Sequence, residues 1–480
     1  MIFILLIVLL VFIVYLNKNF YLKKNNAKYP NGPLVLPIIG SLYRVSFKTP
    51  HLSFKNLSQQ YGKIFSIKMG CVETIVINDI SILQKTFRDK PTIFQQRFWL
   101  PSFYNVGEYR DIVFSNGPYW REIKSILKNS LTKTKSRSME DLFNSECSKA
   151  EQYIMKKIKE NNNIVDMMKT TKRLLLNIMV KFLFNISFEY DDGSLSKEIF
   201  DFVKSYNLIF EYLAKQPGDF IPLLRPFDTH DKIAKEYSNL LKFFTPFIDE
   251  TLKNIDKENP KCFLEYLLIE IERDPNSMIK PESIPHICFS IIVAGSDTTG
   301  TTLEWMILYL SNYPNIQEKL HCEINSSHHP TLKEKKNYPF LRAVINETLR
   351  ISPPAPFALP HICSEDTIVS FNGHDYFFPK YTQIIPNLYG ANRNENEFDD
   401  PNTFNPDRHP SSTASHVSYS SGPRSCPGEN MADDILFVVS TRLYKYFKFE
   451  RTTNQLYDEY GVLTKTLTPK DYLSKVTFRS

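Results

Sequence analysis

Hydrophobic and polar residues follow two different periods along the chain. Between Tyr61 and Asn78 apolar residues occupy alternate positions, which predicts a β-hairpin. From about residue 120 to 350 apolar residues recur at intervals of three and four, as is typical of amphipathic helices. Between Ser352 and Pro427 proline, asparagine, aspartate and histidine are frequent, which predicts irregular loop with short strands. The pattern therefore indicates a mostly α protein with a small β part.

Composition excludes several classes of protein. The 480 residues, 42% of them hydrophobic, can bury a large core, so the chain is neither disordered nor collagen-like. No glycine- and serine-rich linker or internal repeat divides the body, so one large domain is expected. The formal charge of +6 is too small to indicate a nucleic-acid partner. Seven cysteines without a C-x-x-C pair argue against a disulfide scaffold or a zinc ribbon and favour a reducing compartment.

Residues 1–22 are interpreted as a transmembrane signal anchor. Met1 to Leu16 carry no charge, and extension to Leu22 gives about 33 Å of helix, enough for the roughly 30 Å hydrocarbon core. Lysines follow the apolar run and none precedes it, which places the body on the cytoplasmic side. A cleaved secretory signal is the alternative, but it would prefer a basic start and a small-residue cleavage site.

Residues 23–40 are predicted to be a basic linker followed by a proline-rich hinge. Three prolines and two glycines lie between Tyr29 and Gly40, so a helix cannot continue through this segment. The hinge would set the angle of the body, residues 41–480, to the membrane.

Cys426 differs from the other cysteines in its neighbours. Gly422 and Gly428 flank it and would let a flat group approach the backbone closely. Pro427 suits the first position of a following helix, whose free N–H groups would stabilise a thiolate. Arg424 adds a cation suited to a carboxylate. A buried cysteine in a turn is the alternative, but it explains neither the glycines nor the arginine.

Glu347 and Arg350 lie three residues apart on a helix predicted to begin at Pro339 and to end before Pro353. Residues at this spacing share a helix face and can form an ion pair. Such pairs are common by chance on protein surfaces, where they contribute little to stability. Taken alone, this motif is a weak signal.

Asp297 and Thr298 lie within an apolar helical stretch from Ile284 to Leu310. The Thr298 hydroxyl can bond the carbonyl of Ala294, four residues earlier, and bend the helix. An acid in an apolar helix is costly unless it has a role such as proton delivery. A polar kink with satisfied hydrogen bonds is the alternative.

Together and in order, the motifs A-G-x-D-T-T, E-x-x-R and G-x-R-x-C-x-G resemble the cytochrome P450 family of haem-thiolate proteins. The resemblance extends over nearly the whole chain, because Trp120 to Lys124 resembles the family's W-x-x-x-R helix and Phe404 to His409 its F-x-P-x-R-F segment. It implies the cytochrome P450 fold, mostly α with a small β part. Residues 41–480 would form a single haem-thiolate catalytic domain carrying an N-terminal membrane anchor.

The resemblance also implies roles for individual residues. Cys426 matches the metal ligand, the axial thiolate of a haem b (iron protoporphyrin IX). Asp297 and Thr298 match the catalytic acid–alcohol pair that relays protons to bound dioxygen. The residues that match the structural triad behind the haem are Glu347, Arg350 and Arg408. The residues expected at the cofactor are Trp120, Lys124, His361, Arg424, Gly422 and Gly428, of which Lys124 and His361 stand where the family usually has arginine.

The implied activity is that of a monooxygenase, which inserts one oxygen atom of O2 into a small organic substrate. Two aromatic-rich segments, residues 94–114 and 208–221, suggest that the substrate is lipophilic. The chain has no G-x-G-x-x-G motif and no flavin domain, so electrons would come from a separate NADPH-dependent diflavin reductase, with cytochrome b5 as a second candidate donor. A basic cluster predicted to dock the reductase comprises Arg121, Lys124, Lys128, Lys133, Lys135 and Arg137.

Two alternatives stay open at this point. One is a haem-thiolate isomerase, dehydratase or peroxygenase that needs no reductase, although such proteins often lack the acid–alcohol pair. The other is a non-catalytic haem-binding protein, which explains Cys426 but not the hydroxyl relay. The anchor and its charges imply a single-pass protein of the endoplasmic reticulum with its catalytic domain facing the cytoplasm.

Overall fold

The computed structural model describes residues 23–24, 27–135, 139–190, 197–213, 215–325, 329–409 and 416–479. The helices are α1 Pro50–Tyr61, α2 Ile80–Gln84, α3 Pro91–Phe94, α4 Pro101–Tyr104, α5 Gly117–Lys135, α6 Met139–Glu160, α7 Met167–Phe184, α8 Lys197–Tyr212, α9 Pro217–Phe220, α10 His230–Asn254, α11 Phe263–Glu272, α12 Ile284–Asn312, α13 Pro314–Ile324, α14 Pro339–Ile351, α15 Leu388–Ala391 and α16 Glu429–Tyr446. The strands are β1 Lys23–Lys24, β2 Ala27–Lys28, β3 Ile64–Met69, β4 Val72–Ile77, β5 Ile164–Val165, β6 His361–Ile362, β7 Thr367–Phe371, β8 His374–Phe378, β9 Gln383–Pro386, β10 Phe447–Arg451, β11 Val462–Leu463, β12 Leu467–Thr468 and β13 Ser474–Phe478.

These elements confirm the prediction of a mostly helical protein with a small β part. The strands form four small sheets, with the orders β1-β2-β8-β7, β3-β4-β9-β6, β10-β13-β5 and β11-β12. The predicted hairpin is β3 and β4, which pair antiparallel from Ile64 opposite Ile77 to Met69 opposite Val72. Gly70 turns this hairpin at φ +60°, and a Cβ there would lie 2.2 Å from the carbonyl oxygen of Phe220. The turn therefore requires glycine.

The predicted anchor, residues 1–22, lies outside the described residues. Within the described part of the chain, no helix combines the length and the apolar character needed to cross a membrane.

The segment predicted as linker and hinge packs against the body. Strand β2 joins β8 through the pair Lys28 and Tyr376. Further along, the Ser66 hydroxyl donates to the carbonyl of Pro30 at 2.7 Å. Gly32 approaches β3, the strand that contains Ser66, so closely that a Cβ would lie 1.9 Å from the Ser66 carbonyl oxygen. The described part of residues 23–40 is thus bonded to two sheets of the domain.

Helix α12 runs through the centre of the domain and packs along α7, with α10, α14 and α16 on its other sides. Its C-terminal half is almost wholly buried, because an apolar core surrounds Leu303, Trp305 and Leu308. The ring of Tyr309 stacks on Phe404, with centroids 4.5 Å apart, which joins α12 to the irregular segment before α16. This long helix places polar residues at two cavities.

Candidate functional site

An inner cavity lies where α12, α14 and the loop before α16 meet. Its walls are largely apolar and include Val113, Ala294, Leu349, Leu359 and Leu436. The predicted residues that line this cavity are Trp120, Lys124, Thr298, Arg424 and Cys426. The structure therefore brings together residues that are far apart in the sequence and come from α5, α12 and the cysteine loop.

The cysteine loop presents Cys426 to the inner cavity just before α16. The Cys426 N–H donates to the carbonyl of Tyr419 at 2.9 Å, which closes the loop. From the sequence, Pro427 was expected at the first position of α16. In the structure Gly428 is the N-cap of α16, so Pro427 lies before the helix. Burial raises the pKa of the Cys426 thiol to about 11, although a bond from the Gly428 N–H acts in the opposite direction. A bound metal cation would favour the thiolate at this position.

The two glycines of this loop, Gly422 and Gly428, differ in how strongly the structure requires glycine at their positions. Gly422 has φ +75°, and a Cβ there would lie 2.3 Å from the Phe87 carbonyl oxygen. Gly428 has φ −95°, and a Cβ there would be 3.9 Å from the Cys426 sulfur, an ordinary contact. Neither glycine lines the inner cavity. From the sequence, both glycines were expected to let a flat group approach the backbone. In the structure, glycine is required at position 422 because this residue packs against the backbone of Phe87.

Three cations gather at one end of the inner cavity: Arg97, Lys124 and Arg424. The Arg424 guanidinium donates to the carbonyls of Gln95 at 2.8 Å and Ser115 at 2.6 Å, and it lies 3.8 Å above the ring of Trp120. Burial lowers the pKa of Arg424, and the nearby charge of Arg97 lowers it further. The cations are thus held in place by neutral carbonyls while they repel one another.

Lys124 extends along the same end of the cavity. Its ammonium donates to the carbonyl of Pro423 and lies 5.1 Å from the centroid of the Trp120 ring. Burial lowers the pKa of Lys124, and the charges of Arg424 and Lys128 act in the same direction. The side chain expected at this position from the sequence therefore does reach the cavity, although it also forms part of the basic cluster.

His361 lies behind Arg97 and does not line the inner cavity, which differs from the contact expected from the sequence. Its Nε2 lies 2.7 Å from Arg97 Nη1, and its Nδ1 lies 2.5 Å from the carbonyl oxygen of Phe94. The ring must therefore carry its proton on Nδ1 and accept from Arg97. Burial holds the pKa of His361 well below its usual range, and the charge of Arg97 adds to this effect. Sequence reasoning missed Arg97, a single cation within the aromatic run of residues 94–103.

Thr298 and Asp297 face different cavities. Thr298 lines the inner cavity, and its hydroxyl donates to the Ala294 carbonyl at 2.6 Å, as expected from the sequence. Asp297 lines a separate outer cavity, together with Ser296 and Thr301 of the same helix. Successive residues of a helix point about 100° apart, so one helix can supply both walls. The expected acid–alcohol pair is thus divided between two cavities.

Glu347, Arg350 and Arg408 form a buried ion cluster. Arg350 donates to both carboxylate oxygens of Glu347, at 2.7 and 2.8 Å, and Arg408 Nε donates to one of them at 2.9 Å. His409 Nε2 lies 2.9 Å from the other oxygen. Burial opposes ionisation, but the bonds from Arg350 and His409 prevail and lower the pKa of Glu347 to about 2. Sequence reasoning missed His409, because its partner Glu347 is distant along the chain.

Arg350 also fixes the irregular segment before α16. Its Nη1 donates to the carbonyl oxygens of Asn392 at 2.7 Å and of Pro401 at 2.8 Å. The cluster therefore fixes α14 to the segment that leads to the cysteine loop.

Comparison with known proteins identifies the family. The Cytochrome P450 family model matches residues 30–473 of the chain. The chain belongs to the cytochrome P450 family. Over 464 residues, 95% of this chain and 93% of the relative, it is 57% identical to "Probable cytochrome P450 515A1" of Dictyostelium discoideum. It is also 27% identical to "Probable cytochrome P450 522A1" of the same organism, over 99% of both chains.

A solved structure agrees with the cytochrome P450 fold. A zebra fish cytochrome P450, described with progesterone, superimposes with a TM-score of 0.79 at 24% identity. The superposition covers 90% of this chain and 99% of that chain. The family consists of monooxygenases with a cysteine-ligated haem, which depend on a redox partner, a substrate and dioxygen.

The inner cavity of this cytochrome P450 fits such a haem. The buried arginines Arg97 and Arg424 repel each other. The buried side chain of Asp111 lies near both and offsets part of this repulsion. The two carboxylates of haem would relieve that repulsion, since charge-assisted bonds to arginine are strong. The Tyr419 hydroxyl is buried on the cavity wall without a hydrogen-bond partner among the described residues. A thiol, a cationic end and apolar walls are the surroundings that an amphipathic iron porphyrin requires.

Proposed function

We propose that this cytochrome P450 inserts one oxygen atom of dioxygen into a small lipophilic substrate, with electrons from a separate NADPH-dependent diflavin reductase. The observation that carries the proposal is the inner cavity, where Cys426, the three cations and Thr298 share one apolar space. When bound there, haem supplies the activation of dioxygen.

The protein residues have separate tasks in this proposal. Cys426 would hold the iron, while Arg97, Arg424, Lys124 and Trp120 would hold the carboxylate end of the porphyrin. Thr298 places a hydroxyl at the cavity wall, where it can exchange a proton with the reacting group. The apolar walls would exclude bulk water and strengthen each charge interaction inside. Gly422 and Gly428 shape the loop without contacting the cavity.

A lipophilic substrate is supported by the apolar cluster beside the inner cavity. Leu100, Phe103 and Phe114 form its buried part, and Leu213 and Phe220 of the second aromatic segment pack against them. Val113 and Leu359 belong both to the surroundings of this cluster and to the cavity wall. The two aromatic-rich segments predicted from the sequence therefore meet next to the cysteine cavity, where apolar side chains would favour an apolar ligand.

Electron delivery is proposed to use the exposed face of α5. Arg121 and Lys128 lie seven residues apart, on the same side of this helix, and both are exposed. Lys124 is half-buried and turned to the inner cavity, whereas the side chains of Lys133, Lys135 and Arg137 lie outside the described residues. An acidic partner surface would be attracted to this face, and salt would weaken the attraction.

The cellular location remains a proposal from the sequence. We place residues 1–22 in the endoplasmic reticulum membrane and the catalytic domain on its cytoplasmic side, because lysines follow the apolar run. Protease treatment of intact microsomes tests this orientation, since a protected catalytic domain would contradict it.

The absorption spectrum of the reduced, carbon monoxide-bound protein tests the site. We expect a strongly red-shifted Soret band in the wild type and its loss in Cys426→Ser, because the thiolate causes the shift. A band at the position of histidine-ligated haem would refute the assignment of Cys426. Substrates can then be sought among sterols, terpenes and fatty acids by the change in spin state on binding.

Turnover measurements separate the proposal from its reductase-independent alternative. Product formation should require both NADPH and a diflavin reductase. Conversion of substrate without either component would instead favour an isomerase or peroxygenase. The exposure of Thr298 to the inner cavity supports the monooxygenase, because a proton-exchanging hydroxyl is needed there.

A further inference from the structure

The outer cavity has a volume of about 1000 Å³ and is lined by residues of α7, α8, α12 and the hairpin of β11 and β12. It reaches α12 at Ser296, Asp297 and Thr301, whereas Ala294 and Thr298 line the inner cavity. Its walls mix charged and apolar side chains, and its size admits many water molecules. The two cavities therefore contact different sides of the same turn of α12.

Asp297 is held at the outer cavity by two donors. The Tyr206 hydroxyl of α8 donates to Asp297 Oδ2, and Lys465 Nζ lies 3.4 Å from the same oxygen. The side chain of Asp297 is 12% exposed and that of Lys465 is 18% exposed, so water screens this ion pair weakly. Burial lowers the pKa of Lys465, while the charge of Asp297 opposes that effect.

Lys465 also contacts α8 in two further ways. Its ammonium lies 3.9 Å from the centroid of the Tyr206 ring and donates to Asn207 Oδ1 at 3.0 Å. A lysine at one hairpin tip thus contacts residues of α8 and α12 together. If α8 moves, Lys465 and Asp297 lose partners at the same time.

The hairpin that carries Lys465 is fixed to α12 on both sides of its tip. Trp305 Nε1 donates to the Leu467 carbonyl at 2.7 Å, and the hydroxyls of Thr301 and Thr466 lie 2.8 Å apart. Gly461 approaches the Trp305 ring so closely that a Cβ would lie 2.6 Å from Cζ2. The position of the Lys465 ammonium is therefore determined by packing and not by a mobile loop.

A second ion pair lies seven residues, or about two turns, further along α12. Glu304 is fully buried, and Lys172 of α7 places its ammonium 3.4 Å from Glu304 Oε1. Burial raises the pKa of Glu304 to about 7, although the charge of Lys172 acts in the opposite direction. The titratable groups around Asp297 are thus Glu304 on α12, Lys172 on α7, Tyr206 on α8 and Lys465 on the hairpin.

We propose that Lys465 is a positioning residue that holds Asp297 at the outer cavity, so that protons reach the Thr298 side of α12 from that cavity. In each transfer, a hydrated proton from the water of the outer cavity passes to the Asp297 carboxylate, and a neutral water molecule remains in the cavity. Asp297 then releases one proton towards Thr298 and returns to the carboxylate form. This inference rests on the proposed function, since it concerns the proton supply of the same reaction.

The geometry explains why the lysine is needed. Without its ammonium, the nearly buried carboxylate would lose its ion-pair partner, and among the described donors only the uncharged hydroxyl of Tyr206 would still orient it. An unpaired buried charge is costly, and side chains that carry one rearrange. A displaced Asp297 would deliver protons less efficiently, and electrons would then be lost to peroxide or water.

Three lysine variants of the haem-loaded protein test the proposal. Lys465→Met should lower the product formed per NADPH by roughly 3- to 10-fold, since a displaced group loses part of the benefit of proton transfer. Its solvent hydrogen isotope effect should rise. Lys465→Arg keeps the cation and should restore most of the yield. Lys470→Met is the matched control, because Lys470 lines the same cavity but pairs with Asp458 at 2.9 Å.

A structural measurement gives a readout besides activity. In crystal structures of the ferric proteins, the Asp297 carboxylate should leave its wild-type orientation in Lys465→Met and keep it in Lys470→Met. Unchanged orientation, yield and isotope effect in Lys465→Met would overturn the proposal. If Lys465→Met does not fold, Tyr206→Phe removes the other donor to the same oxygen, and it should show the same defects in milder form.

Failure of this proposal is distinguishable from failure of the proposed function. A wild-type protein that binds a compound with a change in spin state, and still forms no product from it with NADPH and reductase, would refute the monooxygenase assignment itself. A wild type that is active, with Lys465→Met equal to it in yield, would refute only the role of Lys465.

Discussion

Glu347 shows how a single buried carboxylate can organise a distant loop. It accepts hydrogen bonds from Arg350 and Arg408 and lies within bonding distance of His409, so its charge is fully compensated. The Asn405 N–H donates to the same carboxylate at 2.9 Å. Breaking such a cluster leaves buried charges without partners, which costs several kcal/mol.

Glu347→Gln should lower the free energy of unfolding by about 3–5 kcal/mol, because both arginines lose their counter-charge. Chemical denaturation at neutral pH measures this loss. Glu450→Gln is the control, since its lysine partners lie on the surface and it should cost less than about 1 kcal/mol. A Glu347→Gln protein as stable as the control would contradict the buried cluster.

The same carboxylate gives a pH dependence with a definite sign. Because the folded protein lowers the pKa of Glu347 to about 2, its contribution to stability is present above the unfolded value near 4.5. The contribution should disappear as the pH falls from 4.5 towards 2. The difference in stability between wild type and Glu347→Gln should therefore shrink over this range.

His361 is expected to act through Arg97. In His361→Phe the guanidinium loses an acceptor at 2.7 Å, so its contact with the haem carboxylates should weaken by about 1 kcal/mol, or roughly fivefold in haem dissociation. Transfer of haem to excess apomyoglobin measures this rate. His374→Phe, at an exposed histidine of β8, is the control. Equal rates in both variants would show that His361 does not position Arg97.

At the scale of elements, the cysteine loop depends on a close approach between chain segments. The loop passes Phe87 with Gly422 in the left-handed region, where a side chain meets both backbone strain and a carbonyl oxygen. Gly428, at the start of α16, meets neither constraint. The two glycines of one motif therefore should respond differently to the same substitution.

Gly422→Ala should destabilise the protein by at least ~3 kcal/mol, because the new methyl group would overlap the Phe87 carbonyl in addition to the backbone strain. Gly428→Ala should change stability by less than about 1 kcal/mol. Denaturant unfolding of both variants, followed by the haem spectrum, measures the difference. The prediction fails if the two alanine variants unfold at the same denaturant concentration.

The sequence allowed prediction of features whose partners are close along the chain. Glu347 and Arg350 lie three residues apart on one helix, and Thr298 donates to Ala294 four residues earlier. A short sequence motif therefore contains both partners of each contact. Arg97 and His361, by contrast, are separated by 264 positions, and their contact arises only when β6 approaches the segment after α3. Helix periodicity likewise predicted that residues 120–350 are mostly helical, but not which cavity Asp297 would face.

For the whole molecule, charge and cavities are arranged around α12. The outer cavity lies against α7 and α8, whereas the exposed basic residues Arg121 and Lys128 lie on α5, the helix that also supplies Trp120 to the inner cavity. Protons and electrons would therefore arrive through different parts of the domain. Because the two routes are separate, a mutation can alter the delivery of protons without altering the delivery of electrons, and the reverse.

Reversal of the exposed charges on α5 tests electron supply alone. Arg121→Glu with Lys128→Glu should slow reduction by the reductase about tenfold at low salt, with the difference shrinking as salt increases. Stopped-flow measurement of the first electron transfer reports this rate. Lys475→Glu, on β13, is the control at an exposed lysine. Unchanged salt dependence in the double variant would exclude this face as the docking surface.

The bond from Asn405 to Glu347 has a consequence for amide hydrogen exchange. Asn405 lies in irregular backbone with an exposed side chain, yet its N–H ends on a carboxylate at the centre of the domain. Exchange of that hydrogen requires the ion cluster to open, and the cluster opens only when α14 separates from the segment it holds. In a mass-spectrometric exchange experiment, peptides covering residues 400–408 should therefore retain the Asn405 amide hydrogen for as long as those of α14 remain protected. Local backbone irregularity and slow exchange would then coexist in one loop.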